Sequence, residues 1–189
     1  IGNISEKLPV GMWTPGQPSK PVIAGYYLVI FLLVLVEKQL IKREKRWKIF
    51  PGMELCSMLL LLLLMAHPWQ QREKITFLDV GQGDGTFIQY ADGTAVFIDG
   101  GSTSKDKIGK YTIIPFLKSK GISEISYWFV SHADEDHING LYELMEAGYK
   151  IDNLAVSQSA AKCDEKTAEI TEIARKLNIN IIKLSEGDK

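Results

Sequence analysis

The sequence predicts two transmembrane helices followed by an α/β domain. Three observations predict it: two long apolar runs before residue 70, a basic linker between them, and a regular alternation of short strands and helices after residue 74. Charge divides the chain at the same place. Residues 1–69 carry eight basic and four acidic side chains, residues 70–189 fourteen basic and nineteen acidic, and the net charge of −1 hides that split. An acidic second part does not suit nucleic-acid binding through overall charge, so a nucleic-acid partner needs a local basic patch. Cys56 lies in an apolar run and Cys163 in a polar one, which predicts neither a disulfide nor a cysteine metal site. Ile1 is not an initiator methionine, so the N-terminus is expected to be cut from a longer chain.

The first apolar stretch, residues 21–36 (PVIAGYYLVIFLLVLV), is uncharged. Extended to residue 41, with Glu37 and Lys38 reaching toward the interface, it has the length of a helix across a ~30 Å hydrocarbon core. The second, residues 49–66, contains LLLLLLMA and carries Glu54 near its start. Trp47 and Trp69 flank it, about 33 Å apart at a helical rise, as interfacial aromatic anchors would. Between the two lies EKQLIKREKRWK, a loop basic enough to stay cytoplasmic by the positive-inside rule. The expected arrangement is a multi-pass protein of the bacterial cell membrane: residues 1–69 form two spans at about 21–41 and 49–66, and residues 70–189 lie outside the cytoplasm.

Beyond residue 74 the expected elements are shorter. Residues 75–80 and 86–90 read as strands joined through Gly81, Gly83 and Gly85, and Asp92-Gly93 as a turn into a strand at 95–98. A helix at 112–120 stops at Gly121, a strand follows at 125–130, and a helix at 138–147 stops at Gly148. A strand at 154–157 precedes a helix whose apolar face is Ile170, Ile173, Ala174 and Leu177, and a last strand spans 179–184. Hairpins first and alternating elements later predict a mixed sheet covered by helices.

The stretch Ser131-His132-Ala133-Asp134-Glu135-Asp136-His137 follows an apolar strand and precedes a helix. Two imidazoles and two carboxylates at this spacing are metal-ligand types. His132 and Asp134 can meet one ion, and Asp136 and His137 a second. Two such cations suit phosphoester hydrolysis, because together they activate a water and neutralise a phosphate oxygen. A structural reading stands beside this one: Asp136 caps the following helix and the other polar groups are merely solvated. Asp99, at the end of Phe97-Ile98-Asp99-Gly100-Gly101, can orient a ligand histidine or can simply end a strand in a turn. The box Asp79-Val80-Gly81-Gln82-Gly83-Asp84-Gly85 has the glycines of a dinucleotide loop, but a strand rather than a helix follows it.

In order and spacing, FLDVGQGDGTFIQY, AVFIDGG and WFVSHADEDHINGL resemble the metallo-β-lactamase domain of ComEC-type competence proteins, the DNA-internalisation channels of bacteria. LPVGMWTPGQPSKPVIAGYY followed by two spans resembles the end of that family's membrane channel. The resemblance implies the N-terminal half of a metallo-β-lactamase-like αββα sandwich and, in the complete protein, two divalent metal ions (Zn²⁺ or Mn²⁺). The superfamily pattern H-x-H-x-D-H falls here on His132, Asp134, Asp136 and His137, with aspartate in place of the second histidine, a harder donor that admits Mn²⁺. Asp136 resembles the residue that positions or deprotonates the attacking water, and Asn139 stands where a glycine is common. Asp79, Gly81, Gly83 and Asp84 carry the most specific part of the resemblance. The family's later ligands are expected beyond Lys189, so this chain by itself is expected to lack a complete ligand set.

The resemblance makes the complete protein a metal-dependent nuclease that degrades the non-transported DNA strand, with DNA, the membrane and competence-machinery proteins as partners. Lys105, Lys107 and Lys110, with Lys118 and Lys120, are candidate DNA contacts or simply a solvated face. Two other readings are a non-catalytic membrane-tethered remnant or binding module, and a membrane-anchored metallo-hydrolase of another ester, since fold does not fix substrate.

Overall fold

Alternating apolar positions meet across neighbouring strands and set the register of a six-stranded sheet. The computed structural model describes residues 16–40, 56–60 and 73–187. The chain divides into two compact units, residues 17–69, and residues 70–189 together with 1–16.

In the first unit, α1 (Lys20–Leu40) covers the first apolar run, and residues 56–60 are helical. Among the described residues no helix is long and apolar enough to cross a membrane, which overturns the expected pair of transmembrane helices. The physical reason lies in α1. Its uncharged part, residues 21–36, spans about 24 Å at 1.5 Å per residue, short of a ~30 Å core. Lengthening it draws Glu37 and Lys38 into hydrocarbon. Most of the second expected span, 49–66, and the basic loop before it lie outside the described residues. The multi-pass membrane placement with an extracytoplasmic C-terminal domain rested on these spans and is overturned with them.

The second unit holds β1 (Lys74–Phe77), β2 (Gly85–Gln89), β3 (Ala95–Asp99), β4 (Glu124–Val130), β5 (Lys150–Ser157) and β6 (Asn180–Leu184), in sheet order 1-2-3-4-5-6. The first three pair antiparallel through hairpins, and β3 to β6 pair parallel. Parallel neighbours need crossovers, and helices supply them. A π-helical turn (Gly109–Ile113) runs into α2 (Ile114–Ser119), α3 (Glu135–Glu146) joins β4 to β5, and α4 (Ala160–Cys163) and α5 (Glu165–Lys176) join β5 to β6.

The expected α/β fold with a mixed sheet is what forms, with shifted boundaries. Pro115 lacks an N–H and opens an α-helix well, so the α-helical part starts only at Ile114. The helix expected at 138–147 begins three residues earlier, at Glu135. Asp164 starts α5 as its cap, accepting from the Thr167 N–H at 2.8 Å.

One row of the sheet, Phe87, Phe97, Trp128, Leu154 and Ile181, runs strand to strand. All but the partly buried Ile181 are fully buried with Ile113, Leu117, Leu141, Leu144 and Ile170 of the crossovers. Phe97 and Trp128 stack with centroids 4.4 Å apart, and Phe116 closes edge-on against Phe87 at 5.3 Å. On the other face Ile75 and Phe77 stay exposed, and no second sheet faces them among the described residues. The described part is therefore one sheet with its helices, a single half of the αββα arrangement.

Candidate metal centre

Parallel strands β3 and β4 end side by side, and the loops leaving their carboxyl ends meet there, where open α/β sheets place ligands. Asp99 closes β3 in the left-handed region, at φ 57°, which turns its carboxylate back over the end of β4. Oδ1 accepts the Ser131 backbone N–H and Oδ2 the Ser131 hydroxyl, both at 2.8 Å. Since the Ser131 hydroxyl gives its proton to Asp99, its oxygen receives Nδ1–H of His132, 3.0 Å away. That fixes the His132 tautomer and leaves its Nε2 lone pair free.

Asp99 also faces the second imidazole. Nδ1 of His137 lies 3.1 Å from Asp99 Oδ2. Nδ1 is buried, but the contact is off the line a ring N–H bond requires, so it has an electrostatic neighbour without a directed hydrogen bond. Nε2 of His137 has two carboxylates near it among the described residues, Asp136 Oδ2 at 3.6 Å and Asp84 Oδ2 at 3.8 Å. The two imidazole rings lie 3.7 Å apart.

The ligand atoms of His132, Asp136 and His137 all fall within 4.8 Å of one another. Asp134 stands outside this group, at the start of α3, with Oδ2 3.7 Å from His132 Nε2. Each Nε2 does have its expected carboxylate beside it, Asp134 for His132 at 3.7 Å and Asp136 for His137 at 3.6 Å, but the two pairs are not separate, since Asp136 also gathers with His132. Nor does Asp136 cap the helix: the residue in cap position is Asp134, without a side-chain bond, and Asp136 sits inside the first turn. Among the described residues no lysine or arginine pairs with Asp84, Asp134 or Asp136. Two imidazoles with free or carboxylate-facing nitrogens, amid unneutralised carboxylates, are a donor set that fits a divalent cation.

Three glycines allow the loops to close this tightly. A Cβ on Gly101 would stand 2.3 Å from both the Asp136 carbonyl carbon and the His137 nitrogen, and one on Gly140 2.0 Å from the Gly100 oxygen. Gly83 is pressed between the Gly101 and Asp136 oxygens. Asn139 ties the same turn to α3 through two hydrogen bonds with Ser102.

The glycine-rich box lies along the loop after β3. Asp84 O accepts from Gly101 N, Gln82 O from Thr103 N, and Ser104 Oγ from Gln82 N. Asp79 pairs with Lys105, whose Nζ also reaches the Asp79 carbonyl at 2.7 Å. Lys105 hydrogen-bonds the Asp79 carboxyl and holds it below the usual range. Gly81 adopts φ 79°, a conformation glycine takes without strain. Of the candidate DNA contacts, Lys105 is therefore engaged within the chain. Lys110 lies over the Tyr111 ring at 5.4 Å, and Lys107 makes no ion pair among the described residues. Sequence reasoning missed the roles of Ser131, Ser102 and Asn139. The available signals were a hydroxyl beside the first histidine and an amide where a small residue is usual.

Residues 78–151 match the Metallo-beta-lactamase superfamily. The chain is also similar to "ComE operon protein 3" of Bacillus subtilis (strain 168), 26% identical over 182 residues. The match covers 89% of this chain and 23% of that protein, so the chain spans about a quarter of its relative's length.

Proposed function

We propose that this chain carries the metal-binding core of a phosphodiester hydrolase acting on DNA during competence, which cuts the strand that is not taken up. The observation that carries the reading is the convergence of His132, Asp136 and His137 on one point, with Asp99 and Ser131 behind the two rings. The sequence resemblance to competence proteins supplies the substrate class.

His132 and His137 present Nε2, and Asp136 an oxygen, as the atoms that hold an ion; Asp134 adds a carboxylate beside His132. Asp99 orients the His132 ring through the Ser131 hydroxyl and lies 3.1 Å from Nδ1 of His137. His132, Asp136 and His137 would hold a divalent ion, Mn²⁺ or Zn²⁺, which would supply Lewis acidity for phosphate ester hydrolysis. Asp136, 39% exposed at the rim, accepts the proton that water gives up. Lys107, on the loop after Asp99, and Lys110, in the helical turn that follows it, would meet the phosphates flanking the scissile bond.

The test is Mn²⁺- or Zn²⁺-dependent cleavage of single- and double-stranded DNA by the chain, with chelator and with Asp136→Asn as controls. Ion-dependent cutting abolished by both controls is expected. Cutting that persists in chelator or in the variant rejects the reading. A binding module without catalysis is the second reading, favoured by the observation that the metal-type group among the described residues has three members, enough for one ion rather than two. DNA and metal binding without cleavage would be its signature.

A further inference from the structure

The glycine-rich box ends in Asp84, and that residue is held by its neighbours in an unusual way. Its N–H donates to the Asp136 carbonyl and its carbonyl accepts from Gly101 N, both at 3.1 Å. Its backbone is thereby stitched to the helix that carries His137 on one side and to the turn after Asp99 on the other. Gly83 before it has no room for a side chain, with a Cβ 2.3 Å from the Gly101 oxygen and 2.7 Å from the Asp136 oxygen. The carboxylate itself is free. It is 73% exposed, pairs with no lysine or arginine among the described residues, and stands 3.8 Å from Nε2 of His137. His137, by contrast, is nine-tenths buried, with Nδ1 lacking a directed hydrogen bond. A rigidly anchored backbone that delivers an unpaired carboxylate to the open nitrogen of a buried imidazole is the arrangement of a ligand donor rather than of a solvated surface group.

We infer that Asp84 contributes a carboxylate to the cation held at His137. This rests on the metal-site reading above and deepens it. Adding Asp84 to His132, Asp136 and His137 brings the set to two imidazoles and two carboxylates, harder than the three donors without it, which shifts preference from Zn²⁺ toward Mn²⁺. The box then has two functions along one strand of backbone: Asp79 at its start locks the loop through Lys105, and Asp84 at its end faces the ion.

Mn²⁺ and Zn²⁺ binding to the 189-residue chain, measured by calorimetry for the wild type, Asp84→Asn and Asp84→Glu, tests it, with melting temperatures taken in chelator. Asp84→Asn is expected to weaken Mn²⁺ at least tenfold, to weaken Zn²⁺ less, and to leave the metal-free melting temperature unchanged. Asp84→Glu, which keeps the charge, should recover part of the Mn²⁺ affinity. Wild-type Mn²⁺ affinity in Asp84→Asn overturns the assignment. So does a loss matched by a lower metal-free melting temperature, which makes Asp84 a folding residue. A wild-type chain that takes up neither ion overturns the metal site itself, and that outcome is distinct from the other two.

Discussion

Asn139 pairs with Ser102 through both ends of its side-chain amide: Oδ1 accepts the Ser102 N–H at 2.9 Å, and Nδ2 donates to the Ser102 carbonyl at 2.5 Å. An amide thus stands in for a peptide partner and binds the turn after Asp99 to the helix that carries His137. Asn139→Ala should cost about 1–2 kcal/mol in urea unfolding, since it leaves two backbone groups of a buried residue unpaired. Asn139→Asp should be at least as costly, because a carboxylate cannot donate to the Ser102 carbonyl. Both variants should also weaken metal uptake. An Asn139→Asp protein as stable as the wild type would show that the Nδ2 bond contributes nothing.

Asp99 separates orientation from backbone conformation. Asn tolerates the left-handed φ of 57° and can still accept the Ser131 N–H, so Asp99→Asn should fold. Its amide no longer takes the Ser131 hydroxyl proton and His137 Nδ1 as a carboxylate does. Metal affinity should fall roughly 10- to 100-fold, the usual effect of losing a partner that orients a ligand histidine. Asp99→Ala adds backbone strain and should melt lower than Asp99→Asn; competition with a metal indicator and thermal melts compare the two.

Gly101 and Gly140 test how close the loops must come. A methyl at Gly101 meets backbone, the Asp136 carbon and His137 nitrogen, which cannot rotate away as a side chain would. Gly101→Ala and Gly140→Ala should each destabilise by roughly 3 kcal/mol, the cost of overpacking a rigid contact. Gly148→Ala serves as the comparison, since open space surrounds that position; only its φ of 68° opposes the change.

Lys107 and Lys110 are the proposed DNA contacts. Replacing both with Gln should weaken DNA binding uniformly across sequences and reduce the slope of log affinity against log salt by roughly 1 to 2. Lys105→Gln should instead loosen the glycine-rich box, because its ammonium already holds Asp79. An unchanged salt slope in the double variant rejects the patch.

Tyr149 gives a pH signature away from the site. Its hydroxyl donates to the Ile122 carbonyl, and burial pushes the phenol up to about 12 from an ordinary 10.0. The folded value lies above the unfolded one. The stabilisation is therefore complete below pH 10 and is lost as pH rises from about 10 toward about 12. Tyr149→Phe should lower stability by about 1 kcal/mol at pH 8 and show less alkaline loss, read as urea midpoints at pH 8 and pH 11.

The strands were legible because their chemistry is local. β-branched and aromatic residues alternate at 86–90, 95–98 and 125–130, and the glycines between them turn. The order of the imidazoles and carboxylates at 132–137 was legible for the same reason. What sequence spacing does not contain is the grouping in three dimensions: a helix that starts at Glu135 rather than Ile138 turns Asp136 toward His132 and leaves Asp134 at the rim. The Ser131 bridge, the Asn139 clasp and the approach of Asp84 join residues 32 to 53 positions apart, or neighbours whose hydroxyl direction only the fold decides. The spans were misjudged where a run of leucines and valines was credited with charged residues at its end.

In the sheet order 1-2-3-4-5-6, each strand lies beside the one made just before it. No strand has to wait for a distant partner, so loop-closure entropy is met in small instalments as the chain lengthens. Asp84, Asp99, Ser131, His132, Asp136 and His137 all fall within residues 84–137, at the ends of three consecutive strands, β2 to β4, and on the helix after them. All the side chains of the candidate site therefore come from one contiguous segment of the chain, synthesised before β5 and β6.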